Sequence, residues 1–75
     1  MSESLSHLRI GQSAIISAFN DEEIALKLIE LGCIPGAKVT MIRKAPLGDP
    51  LAFACSGSLI SIRKEEAASV LVESE

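Results

Sequence analysis

The sequence contains no Trp and no Tyr, and only two Phe among its 75 residues. Stacking single-stranded bases takes aromatic platforms, and a groove for Pro-rich peptides takes aromatic walls; this inventory can build neither. Positive charge is also scarce, with seven Lys and Arg against ten Asp and Glu for a net charge of −3. A nucleic-acid binder shows a basic face, so nucleic acid is excluded as the expected partner, an RNA-binding small barrel included. No apolar run approaches the roughly 20 residues that cross a bilayer, and no basic flank leads into an apolar core at the amino terminus. The sequence therefore predicts a cytoplasmic protein without direct membrane insertion. Its two cysteines, Cys33 and Cys55, fit a reducing compartment, because small secreted domains carry more, in pairs.

Catalytic and metal-binding patterns are missing as well. His7 is the single histidine, and none of His7, Cys33 and Cys55 stands two to four residues from another, the spacing that metal motifs use. The carboxylate pairs Glu22-Glu23 and Glu65-Glu66 are adjacent in sequence, and adjacent residues on a helix do not face each other. Both pairs fall in expected first helical turns, where acids complement the helix dipole. Serine is abundant, but no base is placed to activate one. Gly32-Cys33-Ile34-Pro35-Gly36-Ala37-Lys38 fails as a phosphate loop on spacing, and it follows a helix instead of preceding one. The expectation is a protein that is not an enzyme, with no catalytic residue, no cofactor and no metal site. Cys55 is in phase with Leu51 and Phe53 and reads as a core residue. Cys33 falls just past a helix end, a position where a thiol can be exposed.

What the chain does have is 48% apolar residues and a dense set of backbone-shaping ones. Ser13 to Phe19 alternates small and β-branched residues and predicts a strand. Asn20 precedes Asp21-Glu22-Glu23 as an amide cap, with Glu23 at the capping-box position. A helix follows from about Asp21 to Leu31, with Ile24, Leu28 and Leu31 as its apolar stripe, Ala25 and Ile29 beside it, and Gly32 as its stop. Pro35-Gly36 makes a tight turn. Val39 to Lys44 is a strand, and Pro50 opens the next, Leu51 to Cys55. Ser56-Gly57-Ser58 closes a hairpin into Leu59 to Ile62. A short helical turn, Lys64 to Ser69, leads to a last strand, Val70 to Val72. About five short strands, with one real helix inserted after the first, predict a mainly β fold, a small antiparallel barrel whose closure removes exposed edges.

Two groups of residues stand outside the apolar pattern. Leu26 projects beside Glu22 and Glu30, away from the stripe. Arg43 and Lys44 end a strand next to the Pro46-Leu47-Gly48-Asp49 loop. The expected partner-binding surface combines the outer helix face, Leu26, Lys27 and Glu30, with the loop edge at Arg43, Lys44 and Leu47.

The longest motifs are Leu28-Ile29-Glu30-Leu31-Gly32-x-x-Pro35-Gly36-Ala37-x-Val39 and Arg43-x-Ala45-Pro46-Leu47-Gly48-Asp49-Pro50-Leu51. Leu8-x-x-Gly11-Gln12 precedes them, and Gly57 and Ile62-Arg63-x-Glu65-x-Ala67 follow. Together they make the chain similar to the FeoA family over nearly its whole length, from about Leu8 to Glu73. The resemblance implies a single SH3-like barrel domain. It also implies a small bacterial cytosolic accessory of ferrous iron transport that docks on FeoB, a membrane permease with a cytosolic GTP-binding domain. The same barrel occurs as the carboxy-terminal domain of iron- and manganese-responsive repressors. An alternative expectation is therefore a metal-responsive sensor in which His7, Cys33 and Cys55 converge on Fe²⁺. The sequence shows no helix-turn-helix segment, which favours the accessory.

Overall fold

The computed structural model describes residues 3–75, and its framework is one antiparallel sheet of six strands. In chain order the elements are β1 (Glu3–Ser4), a 3-10 turn (Leu5–His7), β2 (Ser13–Phe19), α1 (Glu22–Glu30), β3 (Lys38–Lys44), β4 (Leu51–Cys55), β5 (Ser58–Ile62), α2 (Lys64–Ala67) and β6 (Val70–Ser74). The strands lie side by side in the order β1-β6-β2-β3-β4-β5. The mainly β class, the inserted helix and the short helical turn before the last strand all follow the sequence expectation. The strand beyond the expected five is β1, whose two residues are too few to show a period.

The closure expected to remove exposed edges does not occur: among the described residues the sheet has no ladder joining its first and last strands, and β1 and β5 both remain edges. Two irregularities of register bend the sheet, one between Ile16 and Ala18 against β6 and one between Met41 and Arg43 against β4. An extra residue on one strand increases the local bend and twist. At the first, the Ser17 hydroxyl donates to the Leu71 carbonyl at 3.1 Å, so the bulged residue is tied across the strand pair. β5 runs into α2, which packs on the 3-10 turn that follows β1. The two edges are joined by packed side chains, with Leu5, Leu8 and Ala67 all buried.

Alternation along each strand decides what the sheet covers. Ala14 and Ile16 of β2, Val39 and Met41 of β3, Leu51, Phe53 and Cys55 of β4, Ile60 and Ile62 of β5, and Val70 and Val72 of β6 point inward and are buried. Ile24 and Leu28 of α1 join the same core. Among the described residues no polar or charged side chain is buried, so nothing inside requires a polar partner.

The helix differs from expectation at both ends. Its cap is Asp21, not Asn20: Asp21 Oδ1 accepts from the backbone N–H of Glu23 at 2.8 Å and of Ile24 at 3.2 Å. Asn20 uses its own N–H on the Ser69 carbonyl at 2.8 Å, which ties the end of β2 to the start of β6. The cap moves by one residue, the helix begins at Glu22, and Glu23 loses the capping-box position. At the other end, Leu31 is already the C-cap, and Gly32 takes a φ of +87°. Gly32 N–H donates to the Ile29 carbonyl at 3.0 Å and Cys33 N–H to the Leu28 carbonyl at 2.8 Å, the bond pair of a Schellman termination. Such an ending turns the second residue after the cap back onto the helix, and here that residue is Cys33, fully buried. Cys33 thus takes the inward position that sequence periodicity assigns to Leu31, and Leu31 is left partly exposed.

Asp21→Ala should lower the unfolding free energy by about 1 kcal/mol, while Asn20→Ala, which keeps its backbone bond, should change it by a few tenths. Urea denaturation of the two variants checks which residue caps the helix.

Candidate functional site

With the interior apolar, the groups this chain can present to another molecule lie on its surface. The thiols show the point. Cys33 and Cys55 are both free and both buried, and they meet inside the core. Burial pushes the Cys33 thiol up to about 12, helped by its hydrogen bond and charge interaction with Cys55. The exposed position expected for Cys33 is therefore wrong, because the Schellman ending carries it inward. His7 sits apart on the surface, its Nδ1 3.4 Å from the Ser4 hydroxyl. Among the described residues no three His, Cys, Asp or Glu side chains gather closely enough to hold a metal ion, so His7, Cys33 and Cys55 do not form the convergent set of the sensor alternative.

The six residues expected at a partner surface are all exposed. Leu26 is 63% exposed on the outer side of α1, on the same ridge as Glu30, with Lys27 next to it. Leu47, at the tip of the β3–β4 loop, is 97% exposed. Arg43 and Lys44 end β3, paired in register with Ala52 and Leu51 of β4. The trios attach at opposite ends of β4. The end of α1 is pinned to the β4–β5 turn, where the Ser56 hydroxyl donates to the Gly32 carbonyl at 2.7 Å. The loop of Leu47 enters β4 at its other end. No hydrogen bond or ion pair among the described residues links the helix trio to the loop trio.

More apolar surface is exposed than the sequence pattern predicts. Ile29 and Leu31, read as stripe or near-stripe residues, are 45% and 42% exposed, and Ile34 and Leu59 are exposed as well. Only Ile24 and Leu28 of α1 are buried. The signal was present: nine helical residues hold about two and a half turns, room for two or three inward positions, and Cys33 fills the third. Leu59 stands on the outer face of β5, opposite inward Ile60, and helps line a hollow of about 250 Å³ with Arg43, Ala45, Pro50, Ala52 and Ser61. A more open hollow of about 570 Å³ between the β3–β4 loop and α2 is lined by Asp49 and Glu65 as well as Arg63 and Lys64. Asp49 is engaged there, its Oδ1 accepting from the Lys64 N–H at 2.8 Å. No helix among the described residues is long and apolar enough to cross a membrane.

The FeoA domain family model matches residues 3–74. FeoA of Chlorobium tepidum is 35% identical and superposes with a TM-score of 0.89, covering 95% of this chain and 69% of that one. FeoA of Stenotrophomonas maltophilia, a procaryotic SH3 domain protein solved in complex with zinc, is 33% identical with a TM-score of 0.82, covering 93% of this chain and 88% of that one. In Porphyromonas gingivalis, a fusion of Fe(2+) transport protein A with the Fe(2+) transporter FeoB is 33% identical over 70 residues, which are 92% of this chain and 8% of the fusion. A manganese-dependent transcriptional repressor, 12% identical with a TM-score of 0.84, shares the fold alone.

The raised Cys33 thiol makes stability depend on pH. An unfolded thiol near 9.0 releases a proton that the folded one keeps until about 12, so the native state binds more protons between those values and stability falls as pH rises through them. Urea unfolding from pH 8 to pH 11 should show a steeper alkaline loss in the parent than in Cys33→Ala. Iodoacetamide should label Cys33 only under denaturing conditions.

Proposed function

Because this chain belongs to the FeoA family, we propose that it is a small cytoplasmic accessory protein of ferrous iron uptake that works by docking on the FeoB permease, without catalysing a reaction. The observation that carries this reading is the Porphyromonas gingivalis fusion, in which one polypeptide joins a segment 33% identical to 92% of this chain with FeoB. A covalent tether holds two modules at millimolar effective concentration, so a weak contact suffices within a fusion. Tethered or not, the contact itself is made by the surface of the FeoA-like module.

The exposed apolar side chains of Leu26 and Leu47, with Lys27, Glu30, Arg43 and Lys44 around them, are the groups proposed to supply it. Leu26 and Leu47 would lose water on contact, at a gain of roughly 1.5–3 kcal/mol for each fully covered, and the charged side chains would set orientation and encounter rate. The contact would fall in the small, transient class below roughly 1,200 Å².

Binding of the full chain to intact FeoB in lipid nanodiscs tests the proposal. Leu26→Asp should weaken binding about tenfold, equivalent to about 1.4 kcal/mol, with its melting temperature unchanged; Leu47→Asp should do the same. Parental affinity in both variants would remove these residues from the surface.

A further inference from the structure

The outer edge of the sheet has a property that the docking reading above does not use. The β4–β5 turn consists of Ser56 and Gly57, with φ of +52° and +77°. This is a two-residue hairpin turn of the primed kind, in which the flanking residues Cys55 and Ser58 form a hydrogen-bonded pair. Bonded and non-bonded pairs alternate along an antiparallel ladder. In the observed register, Phe53–Ile60 and Leu51–Ile62 are then bonded, and Ala54–Leu59 and Ala52–Ser61 are not. Leu59 and Ser61 therefore direct their backbone N–H and C=O away from β4. No backbone bond among the described residues reaches either one from outside its strand.

Proteins blunt such an edge with Lys, Pro, an inward charge or a very short strand. The opposite edge, β1, is two residues long. β5 is five residues, Ser58-Leu59-Ile60-Ser61-Ile62, with none of those devices. Beside it on the outer face lies the hollow lined by Ala52 and Leu59, with Arg43 as its cation. Strands β3, β4 and β5 carry Lys38, Arg43 and Lys44 and no acid. The ion pair found among the described residues is Lys38 with Glu75 at 3.3 Å, which leaves Arg43 without an acidic partner.

We infer that β5 receives an extended segment of the permease's cytosolic portion as an additional strand, bonded to the outward groups of Leu59 and Ser61, with an apolar side chain in the hollow and an adjacent carboxylate on Arg43. The inference rests on the docking reading and specifies its geometry. Main-chain bonds to a sheet edge supply affinity and alternate side-chain pockets supply specificity. An added strand lies about 4.8 Å from its neighbour, close enough for every second side chain to reach the hollow. Charge decides against a second copy of this chain as occupant. Two β5 edges brought together would place acid-free strands side by side and leave both Arg43 side chains unneutralised, whereas an acidic partner segment satisfies them.

Amide hydrogen exchange of the full chain, alone and bound to intact FeoB in lipid nanodiscs, reads this at single residues. Leu59 and Ser61 should exchange quickly in the free chain and slow at least tenfold on binding, with Ile60, already bonded to β4, little changed. Ser61→Pro, which removes one outward N–H and no ladder bond, should weaken binding at least tenfold. Arg43→Glu should weaken it similarly, with Arg43→Lys intermediate. Saturable binding with Leu59 and Ser61 exchanging as in the free chain would overturn strand addition and leave the docking reading standing. Absence of binding would overturn both. Protection of Leu59 and Ser61 that grows with chain concentration in the absence of FeoB would overturn the inference in favour of self-pairing.

Discussion

Phe53 of β4 is the largest fully buried side chain, and in register it is flanked by Met41 of β3 and Ile60 of β5. That inward row, in one cluster with Ile24 and Leu28 of α1 and Leu5 and Leu8 of the 3-10 segment, is what the rest of the molecule is arranged to cover. At roughly 25 cal/mol per Å² of buried apolar surface, and with about 60% of the unfolded surface buried by a domain this small, there is little stability to spare for a polar interior. The bulges in β2 and β3 bend the sheet around the core, the Schellman turn folds Cys33 into it, and α2 closes over the 3-10 turn.

That constraint also says where function can reside. An interior filled with apolar side chains leaves no buried polar group and no enclosed reactive cluster among the described residues. Even the Cys33 thiol is held in the unreactive protonated form by the burial that makes it structurally useful. What is left is the outside: an apolar and charged helix flank, a loop with an exposed leucine at its tip, and a sheet edge with unused hydrogen-bonding groups. Exposed groups of this kind suit contact with another molecule, and a related domain is found joined to a transporter in one polypeptide.

The parts of this structure legible in the sequence are those set by local backbone chemistry. Gly32 stops a helix, Pro35-Gly36 and Ser56-Gly57 reverse the chain, and the alternation of Leu51, Phe53 and Cys55 names the inner face of a strand. The misreadings occur where two residues compete for one local role and a distant contact decides. Asn20 and Asp21 are both good caps, and the pull of Ser69 on the Asn20 N–H gives the role to Asp21. Leu31 and Cys33 both suit the third inward position of the helix, and the geometry of the termination gives it to Cys33. Leu26 was legible as a surface residue because it falls outside the helical stripe. The free backbone groups of Leu59 were not, because they depend on which strand ends up at the edge, and strand order is a non-local property.

The central claim is that this molecule acts through its outer faces while its core stays a passive scaffold. Methyl-resolved NMR of the full chain, isotope-labelled at Ile, Leu and Val and titrated with intact FeoB in lipid nanodiscs, tests it most directly. The account predicts saturable shifts or broadening at Leu26, Leu47 and Leu59, with Leu28, Val39 and Val72 unmoved. Saturable changes spread through the core methyls, with those three leucines unaffected, would contradict it.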